Sequence, residues 1–131
     1  MSVRASCSCG QLRATANGTP VRVSACHCNA CKKRTGSAFS AQARWIEADV
    51  TTEGRSTVFT RIAESGNPAD FHFCSDCGAT VFFSTRNLPG TVAIPLGVLD
   101  DPFALRPNIS IFEEVKQSWV TILGDDVEHI D

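Results

Sequence analysis

Phe73-Cys74-Ser75-Asp76-Cys77-Gly78 has a near twin at the start of the chain, Cys7-Ser8-Cys9-Gly10. Each places two cysteines close together and a glycine after the second. In a metal knuckle the chain turns sharply so that both sulfurs point inward. Glycine after the second cysteine supplies the positive φ such a turn often needs. Cys74-x-x-Cys77 has ordinary zinc spacing, and Cys7-x-Cys9 is tighter than most. A metal shared by the two pairs would staple the N-terminal segment to a central hairpin. Structural zinc contributes about 10–16 kcal/mol in finger peptides. That is comparable to the whole stability of a small domain.

A third group, Cys26-His27-Cys28-Asn29-Ala30-Cys31, brings the count to seven cysteines in 131 residues. Seven divides into a closed set of four and an open set of three. Zinc takes four thiolates in a structural site, and three protein ligands plus a free position in a reactive one. Cys26 and Cys28 are two apart at the end of a candidate strand, and Cys28 and Cys31 three apart on a turn or short helix. Both spacings put sulfurs on one side. His27 lies between them and should point away. Spacing alone does not fix which groups share a metal, and four thiolates suit iron as well as zinc. The odd count argues against a full disulfide framework. A redox Cys-x-x-Cys needs a βαβ context that is not visible around Cys74.

Bulk properties bound the rest. The hydrophobic share of 43% and charged share of 20% are those of a soluble globular protein, and the length fits one domain over 1–131. Net charge is −2 and the pI near 5.9, which argues against a nucleic-acid partner. No apolar run approaches a membrane span, and the N-terminus has no signal core. Clustered thiols then suggest a cytoplasmic protein that binds metal. The one basic run, Lys32-Lys33-Arg34, directly follows the triplet. Lys33 and Arg34, with Ser37 after Gly36, are candidate substrate-binding residues for an anion near the metal.

The texture is short strands broken by turns, which predicts a mostly-β domain. Candidate strands run over 11–16, ending at Asn17-Gly18, and over 21–25, 38–45, 56–62, 71–73, 79–84 and 91–96. Phe39, Ala41, Ala43 and Trp45 share one face of the third. Pro95 hints at an edge or a bulge. Only 29–34 reads as helix, and 112–120 is ambiguous. Phe71, Phe73, Trp45 and Trp119 read as core. His72 reads as exposed or in a surface bond network, and His129 as frayed. Glu47, Asp49, Glu53 and Glu64 receive no role.

The cysteine groups, with Gly36-Ser37 and Phe73 before Cys74, resemble the glutathione-dependent formaldehyde-activating enzyme family, whose domain centromere protein V shares. Leu99-Asp100-Asp101-Pro102 and Lys116-x-x-Trp119 resemble later family segments. The resemblance implies a tent-like, mostly-β fold of short antiparallel strands. It implies two zincs: a structural one on Cys7, Cys9, Cys74 and Cys77, and a reactive one on Cys26, Cys28 and Cys31. The implied activity is that of a carbon–sulfur lyase that makes or breaks S-hydroxymethylglutathione, with a small thiol or thiol–aldehyde adduct as partner. Ser110-Ile111-Phe112 stands where many members carry His before the apolar pair. The rival readings are a non-catalytic zinc module for a protein or small ligand, and a thiol-redox sensor.

Overall fold

The fold is that of a computed structural model, which describes residues 1–63 and 66–131; Glu64 lies outside the described residues. Polar and apolar residues alternate along most of the chain, and a period of two gives strands. In order these are β1 (Ser2–Ser6), β2 (Arg13–Asn17), β3 (Arg22–Cys26), β4 (Ser40–Ile46), β5 (Val50–Glu53), β6 (Thr57–Ile62), β7 (Pro68–Phe73), β8 (Thr80–Thr85), β9 (Thr91–Pro95), β10 (Ile109–Ile111) and β11 (Glu128–His129). One α-helix is found among the described residues, α1 (Asn29–Thr35), between β3 and β4. The mostly-β expectation holds.

The strands form two sheets. The smaller is three-stranded in the order β1-β2-β5, and the larger eight-stranded in the order β11-β10-β3-β4-β9-β8-β7-β6. Pairing is antiparallel except at β10, which runs parallel to β3 and β11. β9 lies between β4 and β8, so Pro95 marks no edge strand; it is the last residue of β9, where a missing N–H interrupts little of the ladder.

Alternation gives the large sheet two different faces. Val23, Ala43 and Ile94 lie side by side on adjacent strands. They pack with Trp45, Val81 and, from the small sheet, Val3, Ala5, Ala14 and Ala16. The neighbouring residues make the opposite face. One row there crosses six strands: Phe59, Phe71, Phe83, Ala93, Arg44 and Arg22. Ala69, Phe71, Phe83 and Ala93 form a second, smaller core on this side. Ser24, Ser40 and Gln42 are buried beside it, joined from Gln42 Nε2 to Ser24 Oγ at 2.9 Å and from Ser40 Oγ to Gln42 Oε1 at 2.9 Å.

Four local expectations change. Phe73, read as core, is only half-buried and lies in neither core cluster. Trp119 is not core but 74% exposed. The ambiguous stretch 112–120 forms one short 3-10 turn at Glu113–Val115. His129 is not frayed: it sits in β11, and its Nδ1 lies 2.7 Å from Glu113 Oε2.

Candidate functional site

The two knuckles converge. The sulfurs of Cys7, Cys9, Cys74 and Cys77 all lie within 4.8 Å of one another. The Cys7–Cys9 and Cys9–Cys74 separations are both 3.6 Å. Ligands at about 2.3 Å from zinc occupy tetrahedron corners about 3.8 Å apart, so this set fits a metal. Each knuckle closes as its sequence suggests. The Gly10 N–H donates to the Cys7 carbonyl at 3.0 Å, and the Gly78 N–H to the Cys74 carbonyl at 2.7 Å. Both glycines have positive φ, +84° and +82°.

Polar hydrogens soften the sulfur charge. The Leu12 N–H reaches Cys7 Sγ at 3.3 Å, and Gln11 Nε2 reaches Cys74 Sγ at 3.1 Å. The Gln11 bond is the chief reason Cys74 titrates below an ordinary thiol. Sequence reasoning missed Gln11, because nothing in its neighbourhood distinguishes it from any strand-edge glutamine.

The triplet converges separately. Cys26 ends β3 and is buried; Cys28 and Cys31 are half-buried at the start of α1. Their sulfurs also lie within 4.8 Å of one another, so they too could hold a metal ion. Cys28 is the N-cap of α1, and its sulfur accepts the Cys31 N–H at 3.3 Å. A thiolate suits that position, since an N-cap acceptor satisfies an orphan helix donor. Hydrogen bonds from the Cys26 side chain, then from Cys31, hold the Cys28 thiol far below its ordinary value. Contacts with the Cys28 side chain, then with Cys31, push Cys26 up, with burial adding to them. Three sulfurs this close suit a shared cation, whose charge would offset that of their thiolates.

His27 points away from the triplet, as its position requires. It is fully buried, and its Nε2 lies 2.9 Å from Ser110 Oγ. Burial holds it below the ordinary imidazole value. His72 is half-buried, stacked on Phe82 with centroids 4.4 Å apart and bonded through Nδ1 to Ser56 Oγ at 3.0 Å. It belongs to a local bond network, the second of its two expected places.

The basic run divides. Lys33 and Ser37 are exposed, and the Ser37 N–H donates to Thr35 Oγ1. Lys32 Nζ donates to the Val115 carbonyl. Arg34 turns onto the sheet instead. Its guanidinium carbon sits 5.1 Å from the Phe71 ring centroid and 4.8 Å from that of Phe83. It is also one helical turn from Cys31, near enough for the sulfur's charge to act on it. Arg44 comes to Phe83 from the sheet, at 5.5 Å, and Arg61 to Phe71, at 5.1 Å. Arg44 escaped the sequence reading because Ser40, Gln42 and Arg44 form the polar alternation of β4, which resembles a solvent face. Only 7% of Arg44 is exposed, and burial, with Arg22 beside it, lowers its guanidinium to about 10.

No curated relative matches the chain. A solved structure of a Rhodobacter sphaeroides protein shares the fold, with a TM-score of 0.60 at 18% identity, over 75% of this chain and 88% of that one. No helix among the described residues is long and apolar enough to cross a membrane. Residues 2–115 match the model of the glutathione-dependent formaldehyde-activating enzyme family. With the match spanning most of its length and carrying all seven cysteines, the chain belongs to that family.

Proposed function

We propose that the protein is a carbon–sulfur lyase acting on a thiol–aldehyde adduct of the S-hydroxymethylglutathione type. Cys26, Cys28 and Cys31 are the ligands of a reactive zinc in this reading. Cys7, Cys9, Cys74 and Cys77 are the ligands of a structural zinc that holds the fold. The observation that carries the reading is the convergence of three thiols within 4.8 Å where a strand passes into a helix, in a chain of this family. Zinc on three thiolates supplies positive charge that keeps an approaching thiol deprotonated near neutral pH.

The chain's own groups prepare the place. Cys26 is fixed by burial at the strand end, and Cys28 by its bond to the Cys31 N–H. Arg34, on the same helix as Cys31, sets a positive charge near its sulfur. In the synthetic direction the substrate sulfur forms a bond to the formaldehyde carbon. The carbon–oxygen π pair moves to oxygen, which takes up the proton the thiol gave away. The reverse breaks the carbon–sulfur bond and returns thiol and aldehyde. Nothing is oxidised or reduced.

The test is adduct formation from formaldehyde and a set of small thiols, glutathione among them, by the zinc-loaded protein against Cys28→Ser. A rate above the uncatalysed reaction that Cys28→Ser loses is the expected result. Equal rates in both proteins would end the claim.

A further inference from the structure

Four guanidiniums meet on the face of the large sheet that carries the triplet, and no carboxylate among the described residues meets them. Arg55 and Arg106 each have an acid partner, Asp76 at 3.1 Å and Asp126 at 3.0 Å. Arg22, Arg34, Arg44 and Arg61 have none among the described residues. Arg22 and Arg44 are direct cross-strand partners, an arrangement that like charges ordinarily avoid. Arg34 and Arg44 both stand over the Phe83 ring, and Arg34 and Arg61 over Phe71.

The guanidiniums are also short of acceptors. The Nε atoms of Arg22, Arg34 and Arg44, and Nη1 of Arg44, are buried with no hydrogen-bond partner. Buried donors, above all charged ones, are ordinarily paired, because leaving one unpaired costs free energy. A planar fork of N–H groups is matched by a planar anion, and a carboxylate is the commonest. The two phenylalanine rings form an apolar floor where such a pair is poorly screened.

Compensation of the triplet does not account for the cluster. Three thiolates on a divalent zinc leave one net negative charge, against four guanidiniums. Arg34, one helical turn from Cys31, is near enough to offset that single charge, and its own Nε still lacks an acceptor.

We infer that Arg34 and Arg44 are the carboxylate-binding end of the substrate site, so that the thiol taken up at Cys26, Cys28 and Cys31 is a small mercapto acid. The inference rests on the proposed function for the identity of the thiol end only. Arg34 lies between the two ends, three residues along α1 from Cys31 and with its guanidinium over Phe83, so one side chain separates sulfur from carboxylate. A carboxylate only a few bonds from the sulfur fits that span. Arg44, with its lack of acceptors, supplies specificity for the anion.

The experiment is calorimetric titration of the zinc-loaded protein, without formaldehyde, with 3-mercaptopropionate, 2-mercaptoethanol and propionate. Charged hydrogen bonds to a carboxylate favour 3-mercaptopropionate over 2-mercaptoethanol by about ten- to a hundredfold in Kd. Propionate competes with it weakly. Arg34→Gln and Arg44→Gln each remove most of the preference, read as the ratio of the two Kd values within the same variant. Arg34 is the safer variant, because it lies on a short surface helix and its loss leaves the sheet intact; circular dichroism establishes that both variants fold. Equal affinity for the two thiols, or a preference that survives Arg34→Gln, overturns the assignment. Turnover separates the two claims. Selective binding without adduct formation removes the lyase reading and keeps the arginine site. Adduct formation at equal efficiency from both thiols does the reverse.

Discussion

His27 and Ser110 lie 83 residues apart in the chain and meet at 2.9 Å, Nε2 to Oγ, with both side chains fully buried. The contact ties the start of the triplet to β10. It is reinforced by the backbone, where the His27 N–H donates to the Ile111 carbonyl at 3.1 Å. Nδ1 of His27 is buried with no partner, so Ser110 is what satisfies the ring. Ser110→Ala leaves both nitrogens bare. The expected cost is about 1–3 kcal/mol of stability, the penalty for an unmade bond at a buried polar group. Urea unfolding at fixed zinc checks it, and an unchanged midpoint would show the bond to be dispensable.

The same residue gives stability a pH dependence. Burial keeps His27 below the ordinary imidazole value in the folded chain. The unfolded chain takes up a proton once the pH falls below about 6.5. The unfolded state therefore binds more protons in that window, and stability falls as pH falls. The contribution is fully present above about pH 6.5 and is lost as pH drops toward the folded value, at a slope of at most about 1.4 kcal/mol per pH unit. Denaturant melts at pH 7.5 and 6.0 measure it, with His27→Gln as the reference that lacks the slope.

How much was legible in the sequence depended on whether a residue's partner was local. The knuckles were readable, since Cys, Gly and spacing carry their whole geometry within a few residues. β2, β3 and β4 followed from alternation, and α1 from the short helical stretch read over 29–34. β1 and β5 were not read: Ser2–Ser6 and Val50–Glu53 are short, and they become strands only by pairing with β2. Trp119 misled because a large aromatic is usually core, yet it lies mostly exposed here. The arginine face misled for the opposite reason. Polar residues alternating along β4 look like a solvent side, yet Ser40, Gln42 and Arg44 are buried, and Arg34 of α1 shares the Phe83 ring with Arg44. Long-range packing decides both cases.

Gly54 holds up the four-cysteine site at a distance. A side chain there would come within 2.0 Å of the Gln11 carbonyl oxygen, a backbone atom that cannot swing aside. Gln11 is braced against the next residue: its Nε2 donates to the Arg55 carbonyl at 2.7 Å, and its Oε1 accepts the Arg55 N–H at 3.0 Å. The same Nε2 reaches Cys74 Sγ. Gly54→Ala should therefore displace Gln11 and strip a hydrogen bond from the sulfur. We expect lower stability by about 1–3 kcal/mol, from overpacking and a positive φ of +95°, together with faster zinc loss to a chromogenic chelator. Gln11→Ala should speed zinc loss without the strain. If Gly54→Ala slows or leaves unchanged the release rate, Gln11 does not support the site.

The two cysteine sets make opposite predictions under substitution, because they sit differently in the fold. Cys7 and Cys74 are buried within the core between the sheets, and their group joins the loop after β1 to the turn before β8. Cys74→Ser loses a ligand from that junction and leaves three thiolates crowded there. Since a structural zinc contributes about as much as a small domain's net stability, this variant should be largely unfolded at 25 °C. Cys28 caps a short helix at the edge of the other face, and no core cluster depends on it. Cys28→Ser keeps an N-cap acceptor, so the fold should survive with a loss of no more than about 1 kcal/mol. Metal analysis completes the comparison. The parent chain should carry two zincs after purification under reducing conditions, and Cys28→Ser one, with near-native circular dichroism. A folded Cys74→Ser, or a Cys28→Ser that keeps both metals, would contradict the division into a structural and a reactive set.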